Sequence, residues 1–143
     1  MKIFSKSAFE TEEIGRRIGE KLKGNEVIAL FGDLGVGKTA ITRGIAGFFG
    51  VKDLVSSPTF SIMNEYQSEK CDICHFDMYR VHSLEDLEST GFFECIGNCT
   101  IIIEWSENII DFIPEDSIKI EISKTDKECE DRKSTRLNSS HMN

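Results

Sequence analysis

Gly32-Asp33-Leu34-Gly35-Val36-Gly37-Lys38-Thr39 is a full match to the pattern G-x-x-x-x-G-K-[ST]. In this P-loop, or Walker A, pattern glycines let backbone N–H groups turn inward around phosphate oxygens. The lysine adds a positive charge and the final hydroxyl holds Mg²⁺. Val27 to Phe31, directly before it, is an apolar run of strand type, and Ala40 to Phe49 continues with apolar residues at 41, 45, 48 and 49, the spacing of one helix face. Strand, loop and helix therefore follow one another in the order that phosphate binding needs. The helix is expected to begin at Lys38 or Thr39, aiming its free N–H groups and dipole at the phosphates.

A chain of 143 residues supports one domain that buries its own core. The expected fold is α/β, a P-loop NTPase in a single three-layer domain whose mostly parallel central sheet carries an antiparallel hairpin. No run of 18 apolar residues occurs, and Met1 to Lys6 lacks the apolar stretch of a signal peptide, so the reading is a soluble cytoplasmic protein with no membrane partner. A formal charge of −8 argues against a broad nucleic-acid surface and against DNA as a ligand, because backbone phosphates call for clustered Lys and Arg. Any action on nucleic acid would pass through a partner. Five cysteines at 71, 74, 95, 99 and 129 form an odd, uneven set, which disfavours a disulfide framework. The C-x-x-C at 71–74 with Cys95 and Cys99 raises zinc as an alternative, but no second C-x-x-C follows, and buried thiols are the simpler reading.

Ser7-Ala8-Phe9-Glu10 matches a capping box, and Ile14, Ile18 and Leu22 recur every four residues, so a helix is expected over about 8–23. Pro58 in Ser56-Ser57-Pro58-Thr59-Phe60-Ser61 starts an extended run through Tyr66. This Ser/Thr-rich loop lies where NTPases often keep a nucleotide-sensing switch, and on the residues alone an ordinary turn is the alternative. Cys71 to Met78 follows a polar turn, giving a hairpin over 59–78. Alternation sets His75, Asp77 and Tyr79 on one face, so Asp77 is either a carboxylate near Mg²⁺ or a surface strand residue. Ser83 to Asp86 is a second capping box, starting a short helix that ends by Gly91. Thr100 to Ile103 reads as a central strand buried on both faces. Glu104 at its end stands where Walker B acids orient Mg²⁺ or water. Trp105 either walls the site or belongs to the core. Ile118, Ile120 and Ile122 alternate with charged residues, as in a half-exposed strand.

Residues 131–141, Asp-Arg-Lys-Ser-Thr-Arg-Leu-Asn-Ser-Ser-His, are similar to one reading frame of a widely used sequencing-library adapter. The expectation is a P-loop ATPase domain over 1–130 and a non-native tail over 131–143.

Taken together, these landmarks resemble the TsaE (formerly YjeE) family over about residues 1–123. The resemblance rests on the P-loop followed by Thr42-Arg43-Gly44, on Ser57-Pro58-Thr59-Phe60, on His75-Phe76-Asp77-Met78-Tyr79-Arg80 and on Ile103-Glu104-Trp105, all in family order. It implies an ATP-binding α/β domain with weak ATPase activity that works with the TsaB and TsaD proteins. That assembly attaches threonylcarbamoyl to adenosine 37 of tRNAs reading codons that begin with A, and ATP hydrolysis resets it between turnovers. It also implies residue roles. Lys38 and the loop amides bind phosphate, Thr39 and Glu104 hold Mg²⁺, and Asp77 lies near the metal and the attacking water. Ser57 to Thr59 act as a nucleotide-responsive switch, Trp105 is an active-site aromatic, and Ser7 or Thr11 contacts the base. tRNA would be gripped mainly by the partners, which suits the acidity of this chain. The C-x-x-C at 71–74 is outside the family pattern, and the final strand that family members carry after the Ile118 strand is expected to be missing, since the adapter-like tail occupies its position.

Three other functions share the P-loop. A small-molecule kinase needs a lid with arginines late in the chain, and no Arg lies between Trp105 and Glu130. A GTPase is suggested by Ser123-Lys124-Thr125-Asp126, yet the first position of that guanine-reading pattern is wrong and no D-x-x-G switch precedes it. The third is a nucleotide-dependent interaction module, in which ATP binding matters and hydrolysis is incidental.

Overall fold

The computed structural model describes residues 2–32, 35–52, 55–58, 62–124 and 135–138. Its elements in order are β1 (Lys2–Ser5), α1 (Ala8–Lys21), β2 (Val27–Phe31), α2 (Gly35–Phe49), β3 (Met63–Tyr66), β4 (Ile73–Asp77), α3 (Leu84–Ser89), α4 (Phe92–Cys95) and β5 (Thr100–Glu104). A 3-10 helix (Ser106–Phe112), β6 (Ile118–Lys124) and β7 (Thr135–Asn138) complete the chain. The strands form one sheet in the order β3-β4-β5-β2-β6-β1-β7. β4, β5, β2, β6 and β1 run parallel, with β3 antiparallel on β4 as the expected hairpin and β7 antiparallel on β1. The five parallel strands thus end on one edge of the sheet, and β2, which feeds the P-loop, sits between β5 and β6.

Two apolar layers cover the sheet, as side-chain alternation along each strand requires. On one face, Ile14 and Ile18 of α1, Leu22 just after it, and Ile41, Ile45 and Phe49 of α2 pack on Ile28, Leu30, Ile102, Ile120 and Ile122. On the other, Leu87, Phe92 and Ile109 cover Val27, Phe76, Ile101 and Ile103. Each fully buried Ile contributes about 1.5–3 kcal/mol, so the α2 stripe holds the P-loop helix against its own strand. α1 and α2 touch backbone to backbone. A Cβ on Gly44 would lie 2.1 Å from the carbonyl oxygen of Glu12, so glycine is needed for this approach. Gly15 meets Ile41 and Gly19 meets Ile45, so the helices run side by side in one direction. The start of α1 is therefore at the same edge as the P-loop.

Both capping boxes form their N-caps. Ser7 Oγ accepts from Glu10 N–H and Ser83 Oγ from Asp86 N–H, each at 3.1 Å. α1 spans Ala8–Lys21, close to the expected 8–23.

Two expectations change. α2 begins at Gly35, not at Lys38 or Thr39, because the loop glycines take up helical geometry and extend the helix backward. The first four helical N–H groups, which have no partner inside a helix, are consequently those of Gly35, Val36, Gly37 and Lys38. The missing final strand is the second. β7 comes from within the segment set apart as a tail, with Lys2 opposite Asn138 and Ser5 opposite Thr135. The outer edge of β1 presents a row of backbone N–H and C=O groups, and these pair with an extended segment whatever its side chains.

Candidate nucleotide site

Gly32 closes the strand and opens the loop under two constraints. Its φ is +103°, and a Cβ there would lie 2.1 Å from the carbonyl oxygen of Ile122. The left-handed region and the contact with β6 both exclude a side chain. Its N–H donates to Glu107 Oε2 at 3.0 Å, tying the loop entrance to the 3-10 helix after β5. Lys38 is buried, with Nζ 5.0 Å from the centre of the Trp105 ring, a cation–π distance.

The register of β4 against β5 pairs Asp77 with Glu104 and His75 with Ile102, so His75, Asp77 and Glu104 share the face that carries α1 and α2. Four polar side chains meet there. Thr39 Oγ1 lies 3.0 Å from Ser57 Oγ, and Ser57 Oγ donates to Glu104 Oε2 at 3.0 Å. Since the one hydroxyl proton of Ser57 goes to the carboxylate, Thr39 is the donor in the first bond. His75 Nε2 reaches the same Glu104 oxygen at 2.6 Å. A carboxylate only accepts, so this nitrogen carries the proton. Nδ1 of His75 is buried without a partner among the described residues. Glu104 itself is only 5% exposed, a buried carboxylate held by an imidazole and a hydroxyl.

Asp77 Oδ1 accepts from the N–H of Tyr79 at 3.0 Å, which turns the chain as it leaves β4. Asn108 Nδ2 donates to the carbonyls of Met78 and Tyr79 at 2.9 and 3.1 Å, and Met78 N–H donates to Glu104 O at 3.0 Å, so the segments after β4 and β5 are tied together. Trp105 adopts φ +59° and is 40% exposed; its ring packs tilted against Tyr79, with centroids 4.8 Å apart and planes at 59°. The ring thus lies outside the core, beside Lys38. Ser57 is half-buried and Pro58 buried. Tyr66 anchors their loop by donating to Ser56 O at 2.9 Å.

The geometry therefore brings together Lys38, Thr39, Ser57, Glu104 and Trp105, with Asp77 beside Glu104 in the register. Ser7 and Thr11 sit at the start of α1. The Ser7 side chain caps that helix, and Thr11 Oγ1 donates to Ser7 O at 3.0 Å. Asp33, Leu34 and Thr59 lie outside the described residues, as does the side chain of Val36. His75 and Glu107 received no role from the sequence. Alternation set His75 beside Asp77, but its bond to Glu104 depends on β4 lying next to β5. The contact of Glu107 with Gly32 spans 75 residues and leaves no local signal.

The donors around Thr39 are hydroxyl and carboxylate oxygens, the ligand class that hard divalent cations such as Mg²⁺ prefer. Thr39 and Glu104 are each within 3.0 Å of one shared hydroxyl, so both reach a common point. The residues present fit such an ion.

The sequence profile of the family described as Threonylcarbamoyl adenosine biosynthesis protein TsaE matches residues 5–134. The chain's relatives include proteins named tRNA threonylcarbamoyladenosine biosynthesis protein TsaE from several bacteria. That of Rickettsia prowazekii is 36% identical over 118 residues, 82% of each chain. That of Treponema pallidum is 34% identical over 123 residues, 85% of this chain and 90% of its own. That of Bacillus subtilis is 35% identical over 116 residues, 80% of this chain and 72% of its own. Among solved structures, Bacillus subtilus YdiB superposes with a TM-score of 0.68 at 28% identity, covering 91% of this chain and 76% of that one.

Proposed function

The chain belongs to the TsaE family, and from that premise we propose that it is the ATP-binding and hydrolysing component of the bacterial machinery that forms threonylcarbamoyladenosine in tRNA. The observation that carries this reading is the hydrogen-bonded run Thr39–Ser57–Glu104, which joins the P-loop helix, the loop before β3 and the end of β5 around one point. The N–H groups of Gly35, Val36, Gly37 and Lys38 and the Lys38 ammonium take the phosphates. Thr39 and Glu104 hold Mg²⁺, which when bound neutralises charge on the phosphates. Asp77 orients water, and Trp105 closes the side of the site. Ser57 bonds to both Mg²⁺-holding residues, so the segment 57–59 senses the nucleotide state.

The partners are the TsaB and TsaD proteins in the cytoplasm, and tRNA is reached through them. The acidic sequence supports this arrangement, since a formal charge of −8 leaves tRNA binding to other subunits. Among the described residues no helix is long and apolar enough to cross a membrane. The test is ATP hydrolysis by the full chain alone and with TsaB and TsaD from the same source. Strong stimulation by the pair is expected, and the same low rate in both conditions would defeat the proposal. Phosphorylation of a metabolite faster than ATP hydrolysis would favour a kinase instead.

A further inference from the structure

Three cysteine sulfurs converge on the face of the sheet opposite His75, Asp77 and Glu104. Cys74 comes from β4, Cys95 from the end of α4 and Cys99 from the position before β5, and their Sγ atoms all lie within 4.8 Å of one another. Cys74 and Cys99 are buried, with sulfurs 3.0 Å apart, and Cys95 is half-buried. A tight turn presents the last two. Asn98 N–H donates to Cys95 O at 3.0 Å, Asn98 Nδ2 donates to Glu94 O at 2.8 Å, and Gly97 takes φ +87°. The sequence spacing C-x-x-C is not the unit. Cys71 packs with the other core, its Sγ 3.3 Å from Thr100 Oγ1.

Three sulfurs from separate elements, gathered on one point, match a soft-metal donor set. A tetrahedral zinc with Zn–S bonds of about 2.3 Å spaces its sulfurs about 3.8 Å apart, within the span of this trio. A carboxylate lies on the neighbouring strand, opposite Cys74. Glu65 of β3 is the direct cross-strand partner of Cys74 and has an exposed side chain. Its Cβ is thus about 5 Å from that of Cys74 on the same face, and carboxylate is a ligand that zinc accepts. We propose that Cys74, Cys95 and Cys99 form a three-thiolate site for zinc or a similar thiophilic d¹⁰ cation, with the Glu65 carboxylate at the open fourth position.

The reaction is a proton exchange without redox change. Each S–H proton leaves to solvent as a sulfur–metal bond forms, so three thiols bind one divalent ion and release three protons. The S–H···S bond between Cys74 and Cys99 lowers the Cys99 thiol and raises that of Cys74, while burial raises Cys95. The bound cation supplies the positive charge that lets the three gathered thiols give up their protons together. Once bound, the ion would tie β4 to the turn between α4 and β5. Since β4 carries His75 and Asp77 on its other face, the tie would stiffen the strand that supports the nucleotide site.

The experiment uses the full chain, reduced, loaded with ZnCl₂ and dialysed against metal-free buffer. About one zinc per chain is expected in the unaltered protein and in Cys71→Ser, and less than about one tenth in the triple variant Cys74→Ser/Cys95→Ser/Cys99→Ser. Cobalt(II) loading should give thiolate-to-metal charge-transfer bands that the triple variant lacks. Should that variant not fold, alkylation of the unaltered protein still decides. Zinc should slow iodoacetamide labelling of Cys74, Cys95 and Cys99 at least about tenfold while leaving Cys71 unchanged. Zinc content near zero without protection, equal zinc in the triple variant, or a Cys74–Cys99 disulfide that excludes the metal would each overturn the proposal.

Discussion

His75 Nε2 donates to Glu104 Oε2 across 2.6 Å, between adjacent parallel strands and away from solvent. The imidazole orients the carboxylate toward Ser57 and Thr39, and it is the nearest support that this acid has on the sheet side. Replacing His75 with Ala leaves the carboxylate without that donor and opens a void beneath it. Partners of this kind are worth about 10–100-fold in metal affinity or activity. ATP hydrolysis by His75→Ala should therefore need more Mg²⁺ for half-maximal rate, with partial recovery in His75→Gln. A Mg²⁺ dependence identical to that of the unaltered protein would show that His75 only fills space.

Lys38 and Glu104 should separate binding from turnover. Lys38→Ala removes the one side-chain cation among the described residues that lies over Trp105 at the loop, so fluorescent-nucleotide binding should weaken at least about tenfold. Glu104→Gln keeps the shape and the contact with Ser57 but lacks the charge. It should bind ATP while losing about 10²–10³ in hydrolysis rate. If Glu104→Gln sustained multiple turnovers in a reconstituted tRNA modification assay, hydrolysis would not be the resetting step.

Two glycines predict stability changes of opposite sign. At Gly32 the φ is positive, and the Ile122 carbonyl oxygen would stand 2.1 Å from any added Cβ, so a methyl group has no room. Gly32→Ala should cost about 3 kcal/mol and lower Tm by about 10 °C. Gly47, inside α2, faces only the flexible Arg16 guanidinium at 3.4 Å. Gly47→Ala should stabilise by about 0.5–1 kcal/mol. Thermal unfolding of both variants checks the pair.

Glu26 predicts a pH dependence. Burial pushes its carboxyl up, but N–H groups of Lys23, Gly24 and Asn25 donate to it at 2.8, 2.9 and 3.2 Å and bring it below the usual value. A carboxyl lowered by folding stabilises the protein above its unfolded pKa, about 4.3. That contribution is lost as pH falls through the folded value. Glu26→Ala should cost about 1 kcal/mol at pH 7, and the gap from the unaltered protein should shrink once the pH is below about 4. Urea denaturation at neutral and acid pH measures both ends; a gap that widens in acid would contradict the assignment.

The sequence by itself determined the local chemistry. The P-loop, the capping residues Ser7 and Ser83, the hairpin ending near Met78 and the buried strand ending in Glu104 were all legible there. Each depends on neighbours within a few positions, where backbone geometry and periodicity act directly. Tertiary structure decided which distant groups meet. The order β4-β5-β2 sets His75 on Glu104 and Glu107 on Gly32, and no periodicity encodes strand order. It also split the C-x-x-C, sending Cys71 to one core and Cys74 to the other. Successive strand residues face opposite ways, and a turn between α4 and β5 delivers Cys95 and Cys99 to only one of those faces. It likewise resolved Trp105, whose left-handed backbone at the end of β5 swings the ring over Lys38. Sequence spacing specifies what each segment can become; side chains far apart in the chain meet only once the packed layers fix which segments are neighbours.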